Sequence, residues 1–279
     1  MAGSEDAAKA LHDKSVGLKL GDRFPDFEAD TSTAGRIKWH DYIDGSWAIL
    51  FSHPADFTPV CTTELGSVAK FAEDFAKKGV KVAALSCDSA DSHRAWISDI
   101  EAFTPGIKVT YPIIADPSRD IAVKLGMLDA VAKDAAGLPL TARAVFVVGP
   151  DKTLKLSILY PATTGRNFHE ILRVIDSLQL TAKYSVATPV DWKHGDDVIV
   201  APSVSNEAAK EKFPKGFKVM SWFVVNGAEW PMYAQSSSQL RLEWRRSDLE
   251  WWRVEAPCER VERRRRVEGA ERADDDAQL

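Results

Sequence analysis

The chain has 279 residues, a net charge of −5 and an apolar fraction of 45%, enough for one large domain or two small ones around a real core. Its acidic balance gives no reason to expect nucleic acid or an anionic membrane surface as a partner. Cys61, Cys87 and Cys258 are too few and too scattered for a disulfide framework, which points to a reducing compartment; with no apolar N-terminal leader pattern and no run of membrane-spanning length, the expected location is cytoplasmic.

Residues 1–17 are polar and alanine-rich and are expected to form a flexible N-terminal extension. The first strong element is Ser46–His53, whose dense apolar centre suits a buried strand. A proline follows, then Thr58 as an N-cap residue and Pro59 at the first helical position, where its fixed φ and missing N–H cost nothing. From there Leu65, Val68, Ala69, Phe71, Ala72 and Phe75 recur at helical spacing, and Gly79 after Lys77 and Lys78 is a stop signal, so a helix is expected over Pro59–Lys78. Cys61 falls in its first turn. A cysteine there faces unpaired backbone N–H groups and the positive end of the helix dipole, both of which favour thiolate over thiol and make the sulfur a nucleophile.

Further along, Val80–Ser86 reads as a second central strand. A helix near Ser92–Phe103 follows, with Trp96, Ile100 and Phe103 on one face. Tyr111–Ile114 begins another strand and Ile121–Leu125 a short helix. Ala142–Val148 and Thr153–Leu159 flank the turn residues Gly149–Lys152, a hairpin signal. Phe168, Ile171, Leu172, Ile175 and Leu178 form the apolar stripe of a final helix. This order, βαβ-α-ββα, is that of an α/β, thioredoxin-like core over residues 18–183. From 184 to 219 the pattern weakens and prolines increase, consistent with a small separate C-terminal domain. Residues 220–279 change composition abruptly, with ten Arg, no Lys, five of the nine Trp and the run Arg263–Arg266. Glu and Arg interleave there without a helical period, so this tail is expected to be largely disordered, and the nearby glutamates weaken a reading of the arginine run as a nuclear address.

The segment Pro54-x-x-x-Thr58-x-x-Cys61 resembles the active-site signature of the peroxiredoxins, and its surroundings, Phe51–Pro54 and Pro59–Glu64, resemble the 1-Cys class, the sixth mammalian type. Tyr111–Asp116, Pro139–Arg143, Gly149–Lys152, Leu156–Asn167 and Val186–Trp192 extend the likeness, which covers roughly Leu18 to Val219. The resemblance implies a thioredoxin-like fold with a small C-terminal peroxiredoxin domain used in forming a homodimer. It also implies a peroxidase that reduces hydrogen peroxide and organic or lipid hydroperoxides through a sulfenic acid at Cys61. In that scheme Thr58 places its hydroxyl near the sulfur and the peroxide, the Arg143 guanidinium lies beside the sulfur, and Pro54 shields the site from water. His53 and Glu64 are implied to support and orient the loop, the histidine near the sulfur. No cofactor and no metal are expected.

No thiol for recycling Cys61 is evident in the chain. A Cys-x-x-Cys pair would need a cysteine where Glu64 stands, no Val-Cys-Pro motif is present, Cys258 lies in the divergent tail, and Cys87 ends a strand as a small apolar residue. The resemblance therefore implies an external thiol, commonly glutathione delivered by a transferase. A redox sensor or holdase using the same cysteine is the alternative reading. Part of the family also has a calcium-independent phospholipase A2 activity, whose residues would be Ser46, His40 and Asp151. The glycines of the family's nucleophile segment are out of register here, in Asp44–Ala48, and the plainer readings are a strand-start hydroxyl, a surface or turn histidine and a hairpin-turn carboxylate. His53 and Cys61 lack a second ligand pair at zinc spacing, and His93, His169 and His194 read as surface histidines.

Overall fold

The structure, a computed structural model, describes residues 10–11, 17–214, 216–225 and 228–235. The greater part of the expected flexible extension and of the Arg- and Trp-rich tail, with Cys258 and Arg263–Arg266, lies outside the described residues.

A short antiparallel pair, β1 (Glu28–Asp30) and β2 (Arg36–Lys38), runs directly into helix α1 (Trp39–Ile43). Strand β3 (Trp47–Ser52) follows, then α2 (Pro59–Lys70), α3 (Ala72–Lys77), β4 (Val80–Ser86), α4 (Ala90–Phe103), β5 (Ile113–Ala115) and α5 (Asp120–Leu125). A hairpin of β6 (Leu128–Lys133) and β7 (Pro139–Thr141) precedes β8 (Arg143–Val148), β9 (Leu154–Tyr160) and the long α6 (Phe168–Tyr184). The central sheet has the order β5-β4-β3-β8-β9, with β3, β4 and β5 parallel and β8 and β9 antiparallel to their neighbours. It is the α/β, thioredoxin-like arrangement that the alternation of strands and helices implies.

Strand β3 is buried on both faces, which is why its sequence is continuously apolar rather than alternating. Ala48 and Leu50 join one cluster with Phe24, Trp39, Ile43 and Phe146, under α1 and α5. Ile49 and Phe51 join the other with Leu65, Val68, Trp96, Ile100, Phe168 and Ile171, under α2, α4 and α6. Each fully buried large side chain stabilises the fold by about 1.5–3 kcal/mol. Helices α2 and α4 approach so closely at Gly66 that a Cβ there would clash with the Oγ1 of Thr104, the residue that ends α4.

Where one helix over Pro59–Lys78 is expected, two occur. Phe71 leaves helical geometry (φ −93°, ψ 6°), although its N–H still bonds Ser67 C=O at 3.0 Å and its own C=O accepts from Phe75 N–H at 3.0 Å. The irregularity coincides with packing of the Phe71 ring against Phe168 and His169. Beyond α6, strands β10 (Val186–Ala187) and β11 (Ile199–Val200), helix α7 (Asn206–Lys212), and strands β12 (Lys218–Val225) and β13 (Ala228–Gln235) form a second small layer. Its sheet order is β10-β11-β13-β12, and Leu180, Val186, Trp192, Val200, Ala209 and Phe213 make its core. The composition change after Lys218 therefore falls at the start of a strand, and the first part of the Trp-rich segment is paired in this sheet.

Candidate active site

The loop between β3 and α2 carries the chain from the sheet to the helix that holds Cys61. Phe57 adopts a left-handed backbone (φ 56°), a conformation that costs a non-glycine residue about 1–2 kcal/mol, and it turns the chain so that Thr58 opens α2. Pro59 occupies the first turn, and Cys61, two residues further, is fully buried. Thr58 stands at the N-cap position, but its hydroxyl makes no cap bond. It donates instead to Ala55 C=O at 2.9 Å, because the tight loop brings that carbonyl within reach. The Thr58 carbonyl accepts from both Thr62 N–H at 3.0 Å and Thr62 Oγ1 at 2.9 Å.

Arg143 is the first residue of β8, and 82 positions separate it from Cys61. The antiparallel pairing of β8 with β3 brings it to the base of α2, where Nη1 lies 3.3 Å from the Cys61 sulfur. Nε and Nη2 both donate to Ala162 C=O, at 3.0 and 2.6 Å. The same Nη1 donates to Glu64 Oε2 at 2.7 Å. Glu64, one turn beyond Cys61, also receives Arg166 three times: backbone N–H at 2.8 Å and Nε at 2.9 Å on Oε1, and Nη2 at 2.8 Å on Oε2. Burial pushes the Glu64 carboxyl up, but the charge and hydrogen bonds of Arg166 and the charge of Arg143 outweigh it and hold the group below the usual glutamate range. Glu64, Arg143 and Arg166 are all buried, so this is an ion triad with every partner satisfied rather than a surface pair. Arg166 thus grips Glu64 from the turn before α6, while Asn167 caps that helix, accepting from His169 and Glu170 N–H at 3.0 and 3.2 Å.

A second buried polar group lies at the start of the same loop. His53 Nε2 lies 2.9 Å from Asp56 Oδ1, while Asp56 Oδ2 lies 2.7 Å from His93 Nδ1 and accepts from Ser92 Oγ at 2.8 Å. His93 is fully buried in α4 rather than a surface histidine. Its place on the helix is the reason: residues 93, 96 and 100 share the inward face, whereas Phe103, expected on that face, is exposed at the end of α4. His169 and His194 are exposed. Burial lowers the His53 pKa below the usual histidine value despite the opposing pull of Asp56. Burial raises the Asp56 carboxyl, but hydrogen bonds from both histidines hold it far below the carboxylate range. Pro54 is buried beside this group, and the His53 ring lies 5.1 Å from that of Trp96, whose Nε1–H donates to Thr62, the neighbour of Cys61.

His53, Asp56 and His93 are the one cluster of potential metal ligands among the described residues, with ligand atoms within 4.8 Å of one another. Both carboxylate oxygens are taken by N–H and O–H donors, an arrangement that a cation would have to break, so the group reads as a hydrogen-bond network.

Ser46 lies in the turn before β3, His40 in α1 and Asp151 in the β8–β9 turn. His40 is buried in α1, rather than on the surface or in a turn, and its Nε2 lies 2.8 Å from Phe24 C=O. Its Nδ1 faces Asp26 at 3.7 Å. Asp151 sits in the β8–β9 turn and accepts from Thr153 and Lys155. No hydrogen bond links any two of the three. Cys87, just past β4, is buried, and that burial pushes its thiol up to about 12.

The AhpC/TSA family model matches residues 20–157, and the model for the C-terminal domain of 1-Cys peroxiredoxin matches residues 177–216. The chain is 64% identical to the peroxiredoxin-6 of Bos taurus over 203 residues, covering 72% of this chain and 90% of that protein. Against the peroxiredoxin-6 of Homo sapiens the identity is 63% over the same lengths. Among solved structures, a cysteine-to-serine mutant of the peroxiredoxin 6 of Arenicola marina superposes with a TM-score of 0.73 at 54% identity, covering 79% of this chain and 99% of that one. A yeast mitochondrial 1-Cys peroxiredoxin, described for its thiol resolving mechanism via glutathione/thioredoxin systems, gives a TM-score of 0.71 at 43% identity, covering 78% and 99%.

Proposed function

The chain belongs to the peroxiredoxins of the 1-Cys class and is a thiol-dependent peroxidase, and from that premise we propose that its reaction runs on Cys61, Thr58 and Arg143, with Pro54, His53 and Glu64 in support. The observation that carries this reading is the 3.3 Å approach of Arg143 Nη1 to the Cys61 sulfur, made by a guanidinium that Glu64 and Ala162 hold in place.

The sulfur of Cys61, as thiolate, gives an electron pair to the terminal oxygen of a hydroperoxide. The O–O bond breaks, its electrons leave with the other oxygen, and that oxygen takes up one proton to become water or an alcohol. Sulfur is thereby oxidised to sulfenic acid and the peroxide reduced. The Arg143 guanidinium supplies fixed positive charge where negative charge moves from sulfur to the departing oxygen, and burial keeps that interaction strong. The Thr58 hydroxyl spends its proton on Ala55 C=O and so offers its lone pairs to the O–H of the peroxide. Pro54, buried at the start of the loop, excludes bulk water.

Return to the thiol needs two equivalents of an external thiol. The first condenses with the sulfenic acid, releasing water and leaving a mixed disulfide, and the second releases Cys61 as the thiol and departs as the external disulfide. Cys87 is unsuited to the task, being buried with its thiol held up to about 12. The reductant proposed is glutathione, delivered by a transferase, in line with the glutathione/thioredoxin systems named for the yeast relative. The substrates are hydrogen peroxide and organic or lipid hydroperoxides, and the setting is the reducing cytoplasm. A homodimer is proposed through β9, which ends the central sheet, is paired with residues 21–22 only at Leu154 and exposes Leu159 at 57%, because the open part of such a strand edge with an apolar side chain favours pairing with a second copy.

Steady-state peroxide consumption with glutathione and a transferase, compared with thioredoxin, tests the reading. Repeated turnover that vanishes in Cys61→Ser is the expected result. Consumption that stops after one equivalent of peroxide would instead mark a sensor, and unchanged turnover in Cys61→Ser would remove the assignment.

A further inference from the structure

We propose that Asp56, clamped by Ser92 and His93 of α4, is a positioning residue that fixes the proton of His53 on Nε2 and so presents Nδ1 as a bare acceptor. The inference rests on the placement of His53 in the peroxide site proposed above, and goes beyond it to the groups that set the state of that ring.

Three observations carry it. First, Asp56 is ionised in this setting, since two histidine rings and a hydroxyl surround its oxygens, and an ionised carboxylate accepts only. The nitrogen facing it at 2.9 Å, His53 Nε2, must therefore be the one that carries hydrogen. Second, the rotation of the carboxylate is set from outside the loop. Ser92 and His93 hold Oδ2 at 2.8 and 2.7 Å, and Asp56 N–H donates to Asp88 Oδ2 at 2.9 Å, so Oδ1 is left for His53 alone. Third, His53 is fully buried and its Nδ1 has no partner, one of two such side-chain atoms among the described residues. Buried polar atoms are nearly always paired, and an unpaired one is costly. Its retention beside the Pro54–Thr58 loop fits an acceptor kept for the O–H of a substrate hydroperoxide or of the sulfenic acid.

The His53 backbone is pinned as well: its N–H donates to Leu85 C=O at 3.0 Å and its C=O accepts from Thr141 Oγ1 at 2.6 Å. The residue is thus held at its backbone by β4 and the β7 terminus, and at its ring by Asp56, which α4 clamps. A neutral imidazole whose tautomer is set by a carboxylate behind it is a recurring device for aiming the opposite nitrogen.

Nitrogen-15 spectra of histidine-labelled protein test the proposal, with the His53 signals assigned by their loss in His53→Gln. In the wild type His53 is expected with hydrogen on Nε2. Asp56→Asn replaces one acceptor oxygen with an amide donor. It is expected to shift His53 toward the other tautomer and to slow oxidation of Cys61 by peroxide about tenfold or more, with partial recovery in Asp56→Glu. His93→Gln keeps Asp56 but loosens the clamp, is expected to change both readouts in the same direction by less, and carries the test if Asp56→Asn does not fold. Unchanged tautomer and rate would overturn the proposal, and so would a slower rate with the wild-type tautomer, which would mark a purely structural part. His53→Gln separates the two levels: a wild-type rate there removes His53 from the site, whereas a slow His53→Gln beside a fast Asp56→Asn removes only the positioning.

Discussion

Arg143 Nη1 contacts Glu64 Oε2 at 2.7 Å and, from the same nitrogen, the Cys61 sulfur at 3.3 Å. The carboxylate and the sulfur lie on successive turns of one helix, so the cation that faces the sulfur is aimed by the helix that carries it. Arg166 fills the rest of the carboxylate.

Replacing Arg143 by Lys keeps the charge but gives up the planar fork that reaches Ala162, Glu64 and Cys61 together. Stopped-flow measurement of Cys61 oxidation should show a fall of about tenfold or more in Arg143→Lys, and a larger one in Arg143→Met, where the charge is gone as well. Equal rates in Arg143→Met and wild type would remove the guanidinium from the reaction.

Glu64→Gln leaves two buried guanidinium groups facing a neutral amide. Breaking a buried ion group in this way costs about 3–5 kcal/mol, and urea unfolding should show it as an earlier midpoint. The same variant should also oxidise more slowly, because Arg143 loses the contact that aims it.

The pH dependence of stability has a definite sign on each side. His53, Glu64 and Asp56 all have folded pKa values below their ordinary 6.5, 4.5 and 3.8. The unfolded chain therefore binds more protons as the solution is acidified, and stability should fall below about pH 6.5, then more steeply through the carboxylate range. On the alkaline side burial raises Cys87 from 9.0 to about 12 and Tyr42 from 10.0 to about 12. Their contribution is complete below the unfolded values and is lost as pH rises past them. Urea midpoints measured across this range should form a plateau between about pH 6.5 and 9, and Cys87→Ala should flatten its alkaline shoulder. A midpoint that rose on acidification would contradict the assignment.

Cys87→Ser should leave peroxide turnover close to wild type, and maleimide should label Cys87 only after denaturation, since its thiol is buried and held protonated.

Leu159→Glu places a charge on the open edge of β9. Sedimentation of the wild type is expected to show a dimer and that of the variant a monomer. Two identical profiles would move the interface elsewhere.

The route from β3 through the proline-bearing loop to Cys61 was legible because every signal in it is local: apolar run, N-cap residue, proline, helical spacing. Arg143 was reached only through resemblance, since nothing in its neighbourhood announces a partner 82 residues away. Arg166, Asp56 and His93 were missed for the same reason: a buried charge is recognised by what surrounds it, and the surroundings come from other elements. His93 could have been found, because its spacing to Trp96 and Ile100 puts it on the buried face of α4. Strands β1, β2 and β7, at three residues each, are too short for alternation to register. The break at Phe71 arises where the helix meets Phe168, a contact across the fold.

The pairing of β8 with β3 has a consequence for the order of events in a chain's life. During synthesis the cysteine emerges well before its arginine, and until those two strands zip together the sulfur lacks its counter-cation. In the proposed reaction, maturation of the sheet is therefore the step that brings the guanidinium to the sulfur, and partial unfolding at this seam would part the two without any chemical damage to the thiol.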